Sequence, residues 1–171
     1  MSPRNKAPAK PKPTYTLRSI QPGDMGWVVM QHGEIYAQEY GWNMEFEAMV
    51  AEICAKTIRK FKPEWERGWI AEAGGLRVGS VFVVRKSKNV AQLRMLVVTK
   101  DARGLGLGQR LVDECIAFAR GKGYQKIALW TNSQLAAARG IYAARGFVLT
   151  GSETHHSFGH DMVGEFWELV L

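Results

Sequence analysis

The segment DARGLGLGQRL, residues 101–111, sets Gly104, Gly106 and Gly108 at alternate positions between the apolar run LRMLVV and a stretch with helical spacing. Such a loop turns tightly as it leaves a strand and offers no Cβ to obstruct a group approaching the backbone. At a helix entrance, free N–H groups and the partial positive charge of the helix end favour an anion. The loop therefore reads as a seat for a phosphate or pyrophosphate, with Arg103 at its lip able to add a charge-assisted contact. A P-loop would continue Gly-Lys-Ser/Thr, whereas Gly108 is followed by Gln109 and Arg110. A dinucleotide fold places its loop after the first strand of a parallel sheet, with an acid about 20 residues on. Here that region is the strand KIALWT. A tight turn without a ligand is the remaining alternative.

Downstream of the loop, Leu111, Val112, Cys115, Phe118 and Ala119 form the buried face of an amphipathic helix that ends near Gly121 or Gly123. Upstream, GWIAEAGGLRVGSVFVVRK reads as two strands joined at Gly74–Gly75, and VAQLRMLVV as a third, an antiparallel meander. Before the meander come an edge strand, TYTLRSI, a QPGD turn with Asp24 as N-cap, and a helix from Asp24 to about Tyr40 in which Gly33 is a weak point. A second helix over 44–61 carries the stripe Phe46, Met49, Val50, Ile53, Cys54, Thr57 and Ile58. QKIALWT is a strand, LAAARGIYAAR a helix, and FVLTGSE and GEFWELVL close the chain as strands. The expected class is α/β (α+β), order βααβββαβαββ: a mixed, mostly antiparallel sheet of about seven strands flanked by about four helices.

The 171 residues suit one domain, and 46% apolar with 23% charged residues is the balance of a soluble globular protein. Arg4, Lys6, Lys10 and Lys12 supply four units of the +7 net charge, in a proline-rich opening with no large apolar residue after Met1. Residues 1–13 are accordingly expected to be a disordered basic tail ahead of a domain at 14–171. Nucleic acid is a disfavoured partner, since the body is only mildly basic. The two cysteines, Cys54 and Cys115, lie in apolar helical stretches and form no CxxC pair, which suggests buried thiols in the cytoplasm. No segment approaches the roughly 18 apolar residues of a membrane span.

LRMLVVTKDARGLGLGQRLVDECIAFARGKGYQKIALWT, followed by IYAARGF, resembles the core of the GNAT N-acetyltransferases, whose acetyl-CoA motif reads Gln/Arg-x-x-Gly-x-Gly/Ala. Arg103, Gly106 and Gly108 stand at those places. HGEIYAQEYGWN and HHSFGHD give a closer likeness to the acetyltransferase half of bacterial proteins that fuse this domain behind a MarR-type regulator. The 13 residues ahead of the resemblance are too few for that regulator. The resemblance implies a GNAT fold and acetyl-CoA as co-substrate. HHSFGHD has the density of a metal-ligand cluster, but zinc would require a third or fourth ligand with sound geometry, and no metal is expected. The resemblance also implies cofactor contacts from Leu96, Val97, Val98, Arg103, Gly104, Leu105, Gly106, Leu107, Gly108 and Gln109. It further implies Tyr142 as general acid for the departing thiolate; a plain core tyrosine is the alternative.

Two positions depart from the family pattern. The place of a cofactor-contacting Asn, seven residues before Tyr142, is Leu135, with Asn132 as a substitute if the loop bulges. The place of a general-base Glu in some members is Gln92, which accepts no proton at neutral pH. Candidates for the base are His155, His156 and His160, read as lying between the last two strands, and Glu34, Glu39 and Glu45. Tyr40 and Trp42 are candidates to wall an acceptor pocket in which Glu39 holds an ammonium group, or simply to pack two helices. Arg94 shares a strand face with Gln92 and could bind a substrate carboxylate or pair with a neighbouring acid. The expected activity is acetylation of a small-molecule primary amine, an amino-acid-like one among them, with a homodimer left open. Its rivals are an acyl-CoA-binding regulatory module with little catalysis, kept alive by Gln92, and acetylation of a protein amine.

Overall fold

The computed structural model describes residues 14–171; the expectation for residues 1–13 lies outside them. The chain runs through β1 (Thr16–Ser19), α1 (Asp24–Tyr40), α2 (Met44–Lys60), β2 (Arg67–Ala73), β3 (Leu76–Arg85), β4 (Val90–Val98) and a 3-10 turn (Lys100–Ala102). It continues through α3 (Leu107–Gly121), β5 (Lys126–Asn132), α4 (Ala136–Ala144), β6 (Val148–Ser157) and β7 (His160–Val170). This is the order read from the hydrophobic pattern.

The seven strands form one sheet in the order β1-β2-β3-β4-β5-β7-β6, antiparallel except for β4 beside β5. Alternation along the strands feeds two cores. Trp69, Ala71, Val81, Val83, Ala91 and Leu93 face Leu111, Val112 and Cys115 of α3, while Ile70 and Phe82 face Val28 of α1 and Phe46, Val50 and Cys54 of α2. Leu111 and Val112 are wholly buried, each worth roughly 1.5–3 kcal/mol of transfer free energy.

Two irregularities open the sheet. The parallel pairing extends only over Val90, Ala91 and Gln92 against Lys126, Ile127 and Ala128, after which β4 and β5 part. Across β4 the register to β3 slips between Ser80 and Phe82, and Met95 takes φ 54° while its carbonyl accepts a 2.9 Å hydrogen bond from Ser80 Oγ. This is a β-bulge, which bends the strand and shifts its register before pairing with β3 resumes at Val97 and Val98.

Two expectations are corrected. Gly23, at φ 94°, occupies the cap of α1, and Asp24 is the first residue inside the helix. Its buried carboxylate accepts from Gln21 N at 2.6 Å, from Arg18 Nη1 at 2.7 Å and from Arg77 Nε at 2.8 Å, so it ties β1, α1 and β3 together. Burial pushes this carboxyl up, but the Arg18 and Gln21 hydrogen bonds outweigh it and hold the group below the ordinary carboxylate range. Secondly, His155 and His156 lie within β6 and His160 opens β7, with only Phe158 and Gly159 between the strands. Their φ values of 58° and 84° suit a two-residue hairpin turn. THHS is too polar to reveal a strand with one solvated face.

Candidate active site

The opening between β4 and β5 holds two cavities. The first, about 520 Å³, lies over the glycine loop; the second, about 390 Å³, lies among α1, α2, β4 and β5. Tyr36, Leu96, Leu135 and Ala138 wall both, so they are the two ends of one cleft.

At the first end the backbone N–H groups of residues 104–109 donate to no acceptor among the described residues; the first helical bond in α3 is Arg110 N to Gly106 O at 3.0 Å. The N–H groups at 107–109 are the open donors of a helix N-terminus, and those at 104–106 extend the row through the loop to six. Gly104 and Gly106 adopt φ 75° and 77°, and a Cβ on either would meet nothing within 4 Å. Their glycines serve the left-handed turn and leave the space above it open. Gly108 differs: a Cβ there would stand 3.0 Å from Ile141 Cδ1, so this glycine lets α3 approach α4.

Of the residues expected at a cofactor, Leu96, Val97, Val98, Arg103, Gly104, Gly106, Leu107, Gly108 and Gln109 line this cavity. Leu105 is exposed and does not. Arg103 reaches across to α1, where Nη1 donates to Glu39 Oε1 at 2.7 Å. Glu39 and Tyr40 thus belong to the rim of the first cavity rather than to a separate acceptor pocket.

The second cavity has aromatic walls. Tyr36, Trp42 and Phe46 pack with ring centroids 4.7–5.0 Å apart, and Trp130 faces them from β5. Trp42 is buried there among the helix-packing aromatics, with its Nε1–H unpaired. Gln92, Arg94, Asn132 and Tyr142 complete the lining. Asn132 therefore sits at the second cavity and not the first, with Oδ1 accepting from His155 Nε2 at 3.0 Å while Ser157 Oγ bonds His155 Nδ1 at 2.9 Å. Both His155 nitrogens are occupied. His156 pairs with Asp161 in a surface dip, and His160 Nε2 bonds the Gly41 carbonyl at 3.0 Å; none of the three lines either cavity. Tyr142 is buried in the wall of this cavity, and its hydroxyl has no hydrogen-bond partner among the described residues. Burial, with Tyr36 and Cys115 nearby, pushes its phenol well above the usual range, so it stays a donor.

The histidine in the cavity wall is His32, which sequence reasoning missed. It is buried, its Nδ1 donates to Val28 O at 2.8 Å, and it stacks on Tyr36 at 5.7 Å. Burial lowers its pKa to about 4, so the ring is neutral and Nε2 remains an acceptor. The signal was available: His32 lies four residues from both Val28 and Tyr36, on the buried stripe of α1. Among the described residues no group of three or more His, Cys, Asp or Glu side chains could hold a metal ion, and no helix is long and apolar enough to cross a membrane.

The sequence profile of the acetyltransferase (GNAT) family matches residues 16–147. A mouse protein named probable N-acetyltransferase family 8 member 5 is 38% identical over 88 residues, 48% of this chain and 39% of its own length. Glucosamine 6-phosphate N-acetyltransferase 1 of rice is 37% identical over 81 residues, 47% of each chain. The chain thus spans less than half the length of these relatives. Among solved structures, ribosomal-protein-alanine N-acetyltransferase from Brucella melitensis superposes with TM-score 0.73 at 19% identity, covering 91% of this chain and 99% of that one. Spermidine N-acetyltransferase from Vibrio cholerae, in complex with CoA and spermine, gives TM-score 0.69 at 18% identity, covering 91% and 95%. The profile runs from β1 through α4 and takes in the parted strands and the glycine loop, so the chain belongs to the GNAT family of acetyltransferases.

Proposed function

We propose that the chain transfers an acetyl group from acetyl-CoA to a primary amine of a small molecule. The observation that carries this is the row of six unpaired amides at residues 104–109, opening on a cavity beside an unpaired strand edge. The co-substrate supplies the acetyl group as an activated thioester. The loop amides suit its diphosphate, and the free edge of β4 at Leu96, Val97 and Val98 suits the amide groups of its pantetheine arm. The bare glycines leave the room this requires.

The acceptor amine occupies the second cavity and its nitrogen attacks the thioester carbonyl; as the C–S bond breaks, Tyr142 donates a proton to the departing sulfur, and the proton that the nitrogen sheds as the amide forms returns to Tyr142 through water. Gln92 takes no proton, and the His155 nitrogens are engaged. His32 Nε2 instead accepts a hydrogen bond from the amine and orients its lone pair. With a pKa of about 4 the ring is too weak a base to retain the proton. Desolvation among Tyr36, Trp42 and Phe46 favours the neutral amine, which loses its proton to water on entering. Proximity then supplies much of the acceleration.

The residues at 14–171 act as one domain, like the acetyltransferase half of MarR-type fusions, in a cytoplasm where Cys54 and Cys115 stay reduced. A homodimer would find exposed Val148 and Leu149 on the edge strand β6. The test is acetyl-CoA-dependent thiol release over a panel of primary amines, beside calorimetric titration with CoA. Turnover with at least one amine is expected. CoA binding without turnover would support the regulatory module instead, and no CoA binding would refute both.

A further inference from the structure

Beyond the acceptor cavity a groove of about 750 Å³ continues between the C-terminal half of α2 and the β3–β4 hairpin, sharing Ile53, Gln92 and Arg94 with that cavity. Lys56 and Lys60 line it from α2, Lys62 from the following connection, and Lys86 and Lys88 from the hairpin. None of the five has a carboxylate partner among the described residues, whereas Arg18, Arg77, Arg103 and Arg139 elsewhere do. Only two acids line the groove. Glu52 is exposed, and both oxygens of Glu66 are taken by backbone N–H groups, of Lys62 at 2.9 Å and of Arg85 at 2.9 Å. Arg85 lies over the Trp65 ring at 4.6 Å.

Arg94 stands where the groove meets the cavity. It is half-buried and has no hydrogen-bond or ion-pair partner among the described residues. A desolvated cation left alone is costly, and an anion bound beside it relieves that cost. Burial also pushes its guanidinium pKa down, the mark of a charge without compensation.

We infer that the acceptor is a small amine bearing two or more negative charges, its first anionic group on Arg94 and the others among the groove lysines. This rests on the acetyl-transfer reading above. One carboxylate would satisfy Arg94 and leave the five lysines unused; a phosphate or second carboxylate further along the molecule reaches them. Cavity and groove each have the size of a small-molecule site. The lysines are solvated, so their contribution falls as salt screens it.

The test has two arms. In thiol release at saturating acetyl-CoA, serinamide, serine and O-phosphoserine form a series of rising negative charge. The expected kcat/KM rises at least tenfold from first to last, and the difference shrinks at high salt. In the triple variant Lys56→Glu, Lys60→Glu, Lys88→Glu the ratio of phosphoserine to serinamide falls at least tenfold. The second arm needs no turnover: with CoA saturating, so that the glycine loop is filled, calorimetric titration with citrate gives binding to wild type that weakens at least tenfold in the variant. CoA affinity, measured on the same sample, reports that the variant is folded. Equal kcat/KM along the series overturns the inference, as does citrate affinity unchanged by the triple substitution. Turnover of an acidic peptide alone, with none of the small polyanion, overturns it in favour of a polypeptide acceptor. Citrate binding lost in the variant, with no amine turned over, refutes acetyl transfer but supports the anion site.

Discussion

Substitution Gly106→Ala separates what the glycine loop does for the fold from what it does for a ligand. Gly106 sits at φ 77°, and a Cβ there would find nothing within 4 Å, so the cost in the free protein is that of a left-handed alanine alone. That is about 1–2 kcal/mol, a minor part of the stability of a domain this size. The ligand cost is larger. Hydrogen bonds to a charged group are worth about 1.5–3 kcal/mol each, and a methyl group standing over the loop displaces a diphosphate from at least two of the six free amides. The loss is then about 3–6 kcal/mol, or roughly 10²- to 10⁴-fold in Kd for CoA. Urea denaturation gives the first quantity and calorimetric titration with CoA the second. Gly108→Ala is the control, because its Cβ meets Ile141 Cδ1 at 3.0 Å; it should cost stability through α3–α4 packing with a smaller effect on CoA. A Gly106→Ala protein with Kd within threefold of wild type would mean that the glycines serve only the turn, and the cofactor assignment would fail.

Tyr142→Phe keeps the buried ring and removes the donor, and is expected to lower kcat in thiol release about 10²-fold while CoA affinity holds. Glu39→Gln releases Arg103 from its 2.7 Å ion pair, so CoA should bind up to about fivefold tighter at low salt, with the gain fading at high salt. His32 carries a pH signature. Its folded pKa of about 4 lies below the unfolded value, so the unfolded chain takes up the extra proton as pH falls. Its share of stability is complete above about pH 6.5 and is lost between there and about pH 4, roughly 3 kcal/mol in all. His32→Gln should flatten that slope in urea melts and raise KM for the amine; an unchanged slope would refute its burial as a neutral ring. Met95→Val places a β-branched residue at φ 54° and should cost about 1–2 kcal/mol more than Met95→Gly, measured by denaturation.

Much of the fold was legible because its elements are punctuated by local chemistry: the Gly74–Gly75 turn, the loop at 104–108, and α3 with its Leu111, Val112, Cys115 stripe. The first cavity was legible for the same reason, since a seat for an anion is built from consecutive backbone and advertises itself as glycine. The second cavity was less so. Its walls come from α1, α2, β4 and β5, brought together by long-range packing that no local pattern records. Glu39 looked free in the sequence, and only the fold brings Arg103 of a distant loop to within 2.7 Å of it. FVLTGSE caught the first half of β6, and the polar run THHS hid its second half and so misplaced His155 and His156.

Met95 shows how a single residue can defeat period-two reading at the point that matters most. Along β4, Ala91 and Leu93 pack into the core beneath α3, so strict alternation assigns Met95 to that same core and Leu96 and Val98 to the opposite one. The structure has the reverse: Met95 packs with α1 and α2, while Leu96 and Val98 join the α3 side. The extra residue of the bulge inverts the faces between Arg94 and Leu96. Gln92 and Arg94, before the inversion, face the second cavity by plain alternation, and Leu96, just past it, lines both cavities. One strand can thus serve a cofactor along its later half and an acceptor along its earlier half, because the bulge turns it over where the two must meet.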